Sequence, residues 1–231
     1  MGWQSRPESH VDNTWFLPQT FLNGFNQLGV ISMAFSTKTK RLYIRPYEAK
    51  DFEAWQRAYA GMHKAQNTWD LNPRDLKELT SSNFKKLLKA QKDQRAKETF
   101  YDFAVFLKDS GELIGTVALM DISRGVFQNA YLGYRIFNKH WNKGYGKEMV
   151  SASFRLAFKD LKLHRVEAGI DPKNRRSIFL ARSVGMRKEG LKKKALYINN
   201  IWQDIGIYSL TCDEFGIKFR GDLKAMSVRI R

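Results

Sequence analysis

Tyr131-Leu-Gly-Tyr-Arg-Ile-Phe-Asn-Lys-His-Trp-Asn-Lys-Gly-Tyr-Gly-Lys-Glu-Met149 changes its apolar period part-way along. From Tyr131 to Phe137 it is an apolar, aromatic run, the mark of a strand. A polar turn follows and reaches Gly144-Tyr145-Gly146. From Lys147 onward the apolar residues fall at helical spacing: Met149, Val150, Phe154, Ala157, Phe158 and Leu161. The stretch therefore reads as strand, glycine turn, helix. The first amides of such a helix have no intrahelical partner and point at whatever sits in front. The helix dipole adds partial positive charge there, so the turn suits a phosphate. A Walker loop is excluded because its Gly-Lys-Ser/Thr spacing is absent. A dinucleotide fingerprint is excluded because Met149 stands where its third glycine belongs. A glycine turn that only caps a helix stays open on this stretch alone.

The 231 residues suit one domain of good size, or one domain with extensions. No apolar run approaches the ~18 residues that span a bilayer. No charged segment followed by an apolar one resembles a secretory signal. The single cysteine, Cys212, excludes an internal disulfide and a Cys-based zinc site. A cytoplasmic protein with no metal and no membrane partner is expected. Net charge is +17, which predicts attraction to polyanions: RNA, a ribosome surface or a phosphate-bearing cofactor. No zinc finger, RNP aromatic pair or KH loop marks a sequence-specific nucleic-acid reader. Plain solubility is the other reading of the charge.

Residues 1–36 lack periodicity but are rich in aromatics, and read as an extension packing on the domain. Arg41 to Pro46 alternates as a first strand. Ala49 begins a helix, and Asn72-Pro-Arg-Asp opens another that runs to about Lys97. The latter carries Lys85, Lys86, Lys89 and Lys92 on one face, read as solvated rather than RNA-binding. Thr99 to Leu107 and Leu113 to Met120 form a hairpin, and Asn129 to Phe137 adds a third antiparallel strand. After the central helix come a strand from His164 to Ile170 and a short helix from Arg175 to Ser183. Gly185 ends that helix at its left-handed C-cap position. Two strands joined at Asn199-Asn200 close the domain. Residues 37–212 thus read as one mixed α/β domain on a single sheet of about seven strands, and 213–231 as a basic, peripheral tail.

This order, and several motifs, resemble the GNAT N-acetyltransferase superfamily. The x-x-x-Gly-x-Gly turn resembles that family's acyl-CoA pyrophosphate loop. Asn174-Arg-Arg-Ser177 with Gly185-Met186 resembles its Asn-x-x-Ser…Gly-Phe segment, and Trp202-Gln-Asp204…Tyr208 its closing strand. Trp141, together with Ser123-Arg-Gly-x-Phe and Lys188-Glu-Gly190, is similar to the ribosomal-protein-alanine N-acetyltransferases of the RimJ type. The resemblance implies a mostly antiparallel seven-stranded sheet, splayed between its fourth and fifth strands and flanked by helices. It implies acetyl-CoA as co-substrate, and a protein N-terminus, that of a ribosomal protein, as acceptor.

By position, the resemblance puts Trp141, Lys143, Gly144, Tyr145, Gly146 and Lys147 around the CoA phosphates. It puts the backbone of Ile136 and Phe137 along the pantetheine arm, with Asn174 opposite. Ser177 is the candidate to relay a proton to the leaving sulfur, its alternative being a helix-start residue that satisfies local amides. Tyr197 is a second candidate donor, and Tyr208 is read as a packed core aromatic. Arg124 is expected on the acceptor side, and His140 as an exposed turn residue. Some relatives have a glutamate where Leu196 stands, so that base is lost, and no buried carboxylate is legible near the site. An α-amine, of pKa ~7.7–8.0, needs a weaker base than a lysine at ~10.4. That favours a terminal amine. An antibiotic or polyamine acceptor, or a non-catalytic ribosome-associated protein, are the alternatives.

Overall fold

The computed structural model describes residues 35–198 and 200–221. The expected extension over 1–36 lies outside the described residues up to position 34, as do Asn199 and the tail beyond 221. The strands are β1 (Thr37–Lys38), β2 (Leu42–Arg45), β3 (Phe100–Leu107), β4 (Leu113–Ser123), β5 (Asn129–Ile136), β6 (Arg165–Ile170), β7 (Arg187–Ile198) and β8 (Ile201–Thr211). The helices are α1 (Phe52–Ala60), α2 (Ser81–Ala96), α3 (Tyr145–Arg155) and α4 (Arg175–Ser183). Among the described residues no helix is long and apolar enough to cross a membrane.

All the strands form one sheet in the order β1-β2-β3-β4-β5-β6-β8-β7, in which β5 and β6 are the parallel pair. A parallel step needs a crossover, and α3 supplies it. Among the described residues the strand count is eight rather than seven, because Thr37 and Lys38 pair with Ile44 and Tyr43 ahead of the expected first strand. The second helix also begins later than expected. Thr80 caps it by accepting from the Asn83 amide at 3.2 Å, and residues 72–80 are irregular apart from a turn over 76–78.

Two apolar cores lie on opposite faces of the sheet. On one face α3 and α4 bury Met149, Val150, Phe154 and Ala181 against Phe103, Val117 and Leu132. On the other face α1 and α2 enclose Trp55, Leu79 and Phe84 with Phe106 and Phe137. The chain just after β8, expected to be peripheral, joins the first core: the Phe215 ring lies 5.5 Å from Phe154 and 5.8 Å from Phe158.

Pairing between β5 and β6 stops early. Asn129, Ala130 and Tyr131 meet Arg165, Val166 and Glu167, and from Leu132 onward β5 is bonded to β4 alone. The two strands part and leave a gap that opens toward the N-termini of α3 and α4. The β7–β8 hairpin overhangs that end of the sheet: β8 pairs with β6 only over Gly206 to Thr211, and Ile201 to Ile205 reach beyond Ile170.

Candidate active site

The turn at the mouth of the gap is held open by its backbone. Gly144 is the N-cap of α3 at φ +76°, a left-handed conformation that suits glycine. A Cβ on Gly144 would meet Arg41 Nη2 at 3.4 Å, and one on Gly146 would meet Leu180 Cδ2 at 3.2 Å. The cradle is therefore backbone-lined, with the amides of Tyr145, Gly146 and Lys147 unpaired at the helix start. Lys143 and Lys147 are exposed beside it.

Arg41 fixes this turn from across the sheet, a role the sequence did not suggest. Its guanidinium donates from Nη1 to the Lys143 carbonyl at 2.8 Å, pairs through Nε with Glu148 at 2.7 Å, and lies 4.5 Å from the centre of the Tyr145 ring. Arg176, in the first turn of α4, stacks its guanidinium 4.5 Å from the Trp141 ring centre. The Trp141 indole donates to the Ile136 carbonyl at 2.6 Å. The turn, the end of β5 and the start of α4 are thus tied into one positively charged rim.

Inside the gap the strand alternation decides which backbone groups are free. The Phe137 amide donates to the Ile114 carbonyl at 2.8 Å, so it is spent on β4. By alternation Leu132, Tyr134 and Ile136 turn their peptide groups toward β6. The Ile136 carbonyl is taken by Trp141, which leaves its N–H. Of the two residues expected along the arm, Ile136 keeps a group to offer and Phe137 contributes packing, 5.0 Å from Tyr59.

Asn174 takes the capping role that was the alternative reading of Ser177. Asn174 caps α4, its Oδ1 accepting from the Ser177 amide at 3.1 Å, and its side-chain NH2 remains as a donor. The capping explanation of Ser177 therefore falls away. Its hydroxyl lies 2.7 Å from the Tyr134 hydroxyl. Burial pushes the Tyr134 phenol up to about 12, the Ser177 bond opposing it. Tyr197 is elsewhere, 59% exposed at the hairpin tip with its ring 5.3 Å from its register partner Trp202. Tyr208 is buried, as expected.

Arg124 is turned inward rather than toward an acceptor. It donates to the Leu161 carbonyl at 2.7 Å and reaches Glu98 and Gln128, at the end where β5 and β6 stay paired. His140 is buried, not exposed, and its Nε2 lies 3.3 Å from Glu112.

A strap crosses the other side of the gap. Asn138, just after β5 and 5% exposed, exchanges hydrogen bonds with the His63 backbone at 2.7 and 2.9 Å and donates to Asp70 at 2.9 Å. Next to Asp70, the Trp69 indole donates to Asp171, just after β6, at 3.2 Å. The segment between α1 and α2 is thereby pinned to both diverging strands.

The acetyltransferase (GNAT) domain family matches residues 41–187. The chain belongs to this family. It is 33% identical over 167 residues to a probable N-acetyltransferase, YjcK, of Bacillus subtilis, covering 72% of this chain and 92% of that protein. It is 30% identical over 181 residues to the [ribosomal protein uS5]-alanine N-acetyltransferase of Escherichia coli, covering 77% and 91%. Mycobacterium smegmatis RimJ in complex with CoA-disulfide shares the fold at TM-score 0.62 and 22% identity, over 75% of this chain and 83% of that one. As a GNAT N-acetyltransferase, the chain has a parted strand pair with a backbone-lined turn at its mouth, and these suit the long, phosphate-ended acyl carrier that such enzymes use.

Proposed function

We propose that this N-acetyltransferase moves an acetyl group from acetyl-CoA to the N-terminal α-amine of a protein, by direct attack in a ternary complex in the cytoplasm. A ribosomal protein is the proposed acceptor, and the Escherichia coli relative supports that choice. The observation that carries the reading is the parting of β5 and β6 below a left-handed glycine turn. In it the amides of Tyr145, Gly146 and Lys147, with Lys143, Trp141 and Arg176, hold the pyrophosphate. The peptide groups of Leu132, Tyr134 and Ile136 pair with the pantetheine arm, and the Asn174 NH2 closes the far side. Acetyl-CoA supplies an activated acyl carbon. An inward-facing β5 amide stabilises charge on the acyl oxygen. The Tyr134–Ser177 hydroxyl pair delivers a proton to the departing sulfur, the role first assigned to Ser177 alone.

The acceptor reaches the gap between the strap at His63 to Asp70 and the β7–β8 arm. That arm displays Lys192, Lys193 and Lys194, which would repel a polyamine and tolerate a peptide held on a polyanionic particle. The test is incubation with labelled acetyl-CoA and a ribosomal-protein extract, followed by mapping of the label. Label on N-terminal α-amines supports the reading. Label on lysine side chains alone, or on polyamines alone, overturns it.

A further inference from the structure

His164, Cys212 and Asp213 converge at the closed end of the sheet, away from the gap. Arg165 on β6 pairs with Thr211 on β8, so one step further the ladder sets His164 opposite Cys212. The Cys212 amide donates to the His164 carbonyl at 2.8 Å, and the Ile217 amide donates to the Cys212 carbonyl at 2.8 Å. The backbone at these positions is therefore fixed by its own hydrogen bonds. Cys212 Sγ lies 3.6 Å from His164 Nδ1. A carboxylate oxygen of Asp213 joins them, and the three atoms lie within 4.8 Å of one another.

The three groups form a graded site. Cys212 is fully buried in the first core, His164 is half-buried, and Asp213 is exposed. The Phe219 ring stands edge-on to the His164 imidazole, with ring centres 5.6 Å apart. Sulfur and nitrogen thus sit on an apolar floor, and the carboxylate stands at the open side.

An S–H···N hydrogen bond would account for the Sγ–Nδ1 contact alone. It gives no reason for a carboxylate to meet the same point. Zinc accounts for all three, because it takes thiolate, imidazole and carboxylate oxygen together. With Zn–S at ~2.3 Å and Zn–N at ~2.0–2.1 Å, a tetrahedral site has an S···N edge of about 3.6 Å. That is the separation found between Cys212 and His164. Asp213, being exposed, has room to turn its carboxylate the remaining distance, and water can take the fourth position. The single cysteine excludes zinc motifs built on two or more cysteines, but a mixed site needs only one.

We propose that His164, Cys212 and Asp213 form a zinc site that clamps the start of β6 to the end of β8 and to the chain over 212–219. On binding, the sulfhydryl proton passes to solvent and the thiolate bonds to the metal. Nδ1 gives its lone pair, and the imidazole proton stays on Nε2. The role is structural. Six steps along β6, or about 20 Å, separate His164 from Ile170 at the open end, so the clamp lies clear of the acyl carrier. It does not depend on the acetyl-transfer reading above.

The test is titration of the metal-free full chain with Co(II) or Zn(II) alone, followed by absorption and thermal melting. One equivalent of Co(II) should give a thiolate-to-cobalt charge-transfer band and the visible bands of a four-coordinate ion, and Zn(II) should remove both. Zinc at about a hundredfold over its Kd should raise Tm by about 5–10 °C, and a chelator should reverse the rise. Cys212→Ser should abolish the charge-transfer band. His164→Ala and Asp213→Asn should each weaken binding by at least about tenfold, the loss that even a ligand's supporting partner can cause. Asp213→Asn alters only an exposed group, so it keeps the test open should a buried variant fail to fold. CoA affinity should be the same with and without zinc, and a change would overturn the clamp's separation from the gap. No charge-transfer band, binding that Asp213→Asn leaves undiminished, or a Tm indifferent to zinc overturns the site.

Discussion

Arg41 and Glu148 bind each other across the sheet, through Nε to Oε2 at 2.7 Å and through the Arg41 backbone amide to Oε1 at 2.8 Å. Burial alone would raise the Glu148 carboxyl. The Thr39 hydroxyl, the Arg41 amide and the guanidinium more than offset that and hold it below its ordinary value. The pair joins the chain before β2 to the first turn of α3, and Arg41 extends the link to the Lys143 carbonyl. Arg41→Ala should therefore loosen the glycine turn. We expect CoA affinity to fall about tenfold, near the ~1.4 kcal/mol of one charge-assisted hydrogen bond, while the acceptor KM changes little. Calorimetric titration with CoA checks this.

Gly144→Ala tests the turn more directly. The left-handed conformation costs a side chain about 1–2 kcal/mol, and the added Cβ would meet Arg41 Nη2 at 3.4 Å. Thermal unfolding should register that loss, with CoA binding weakened. Gly144→Glu should abolish CoA binding, because a carboxylate would crowd and repel the pyrophosphate.

Much of this was legible in the sequence, for a physical reason. The turn and the order of elements announce themselves through glycine and period, both local in the chain, whereas Asn174 came only with the motif and its capping role did not. The residues that sequence reading missed act over long separations. Arg41 reaches Lys143 across 102 positions, and Tyr134 meets Ser177 across 43. Tyr134 has no local signal, since a tyrosine in an aromatic strand reads as core. Asp102 has no local signal either, since it falls within an alternating strand. The contact it makes comes from α2, whose Gln91 donates to it at 2.7 Å. Phe137 shows the converse: its place in the motif suggested a free amide, and only the β4 register shows it spent.

The hydroxyl pair makes a distinct kinetic claim. Tyr134→Phe and Ser177→Ala should each lower kcat by about tenfold or more, within the range of general acid catalysis, without raising Kd for CoA. Because the two hydroxyls act as one unit, the double variant should be little worse than either single one. Losses that multiply would show two independent roles. Single-turnover rates with a peptide acceptor separate these outcomes from effects on product release.

Asp102 should leave a signature in stability. Its carboxyl, ordinarily near 3.8, is pushed up to about 6 in the folded chain by burial, which the Gln91 and Phe103 hydrogen bonds and the Arg95 charge only partly oppose. A raised carboxyl binds its proton more tightly when folded than when unfolded. Its favourable contribution is therefore complete below pH 3.8 and is lost as pH rises through 6. At neutral pH the folded state carries an anion whose desolvation these partners offset only in part, at a cost on the order of 1–3 kcal/mol. Asp102→Asn keeps the shape and removes the charge, so the variant should unfold at a higher temperature than wild type at pH 7.5. The difference should shrink as pH falls below 6. Thermal melts across that range measure it, and a variant less stable than wild type at every pH would show that the carboxylate is held by stronger partners than Gln91.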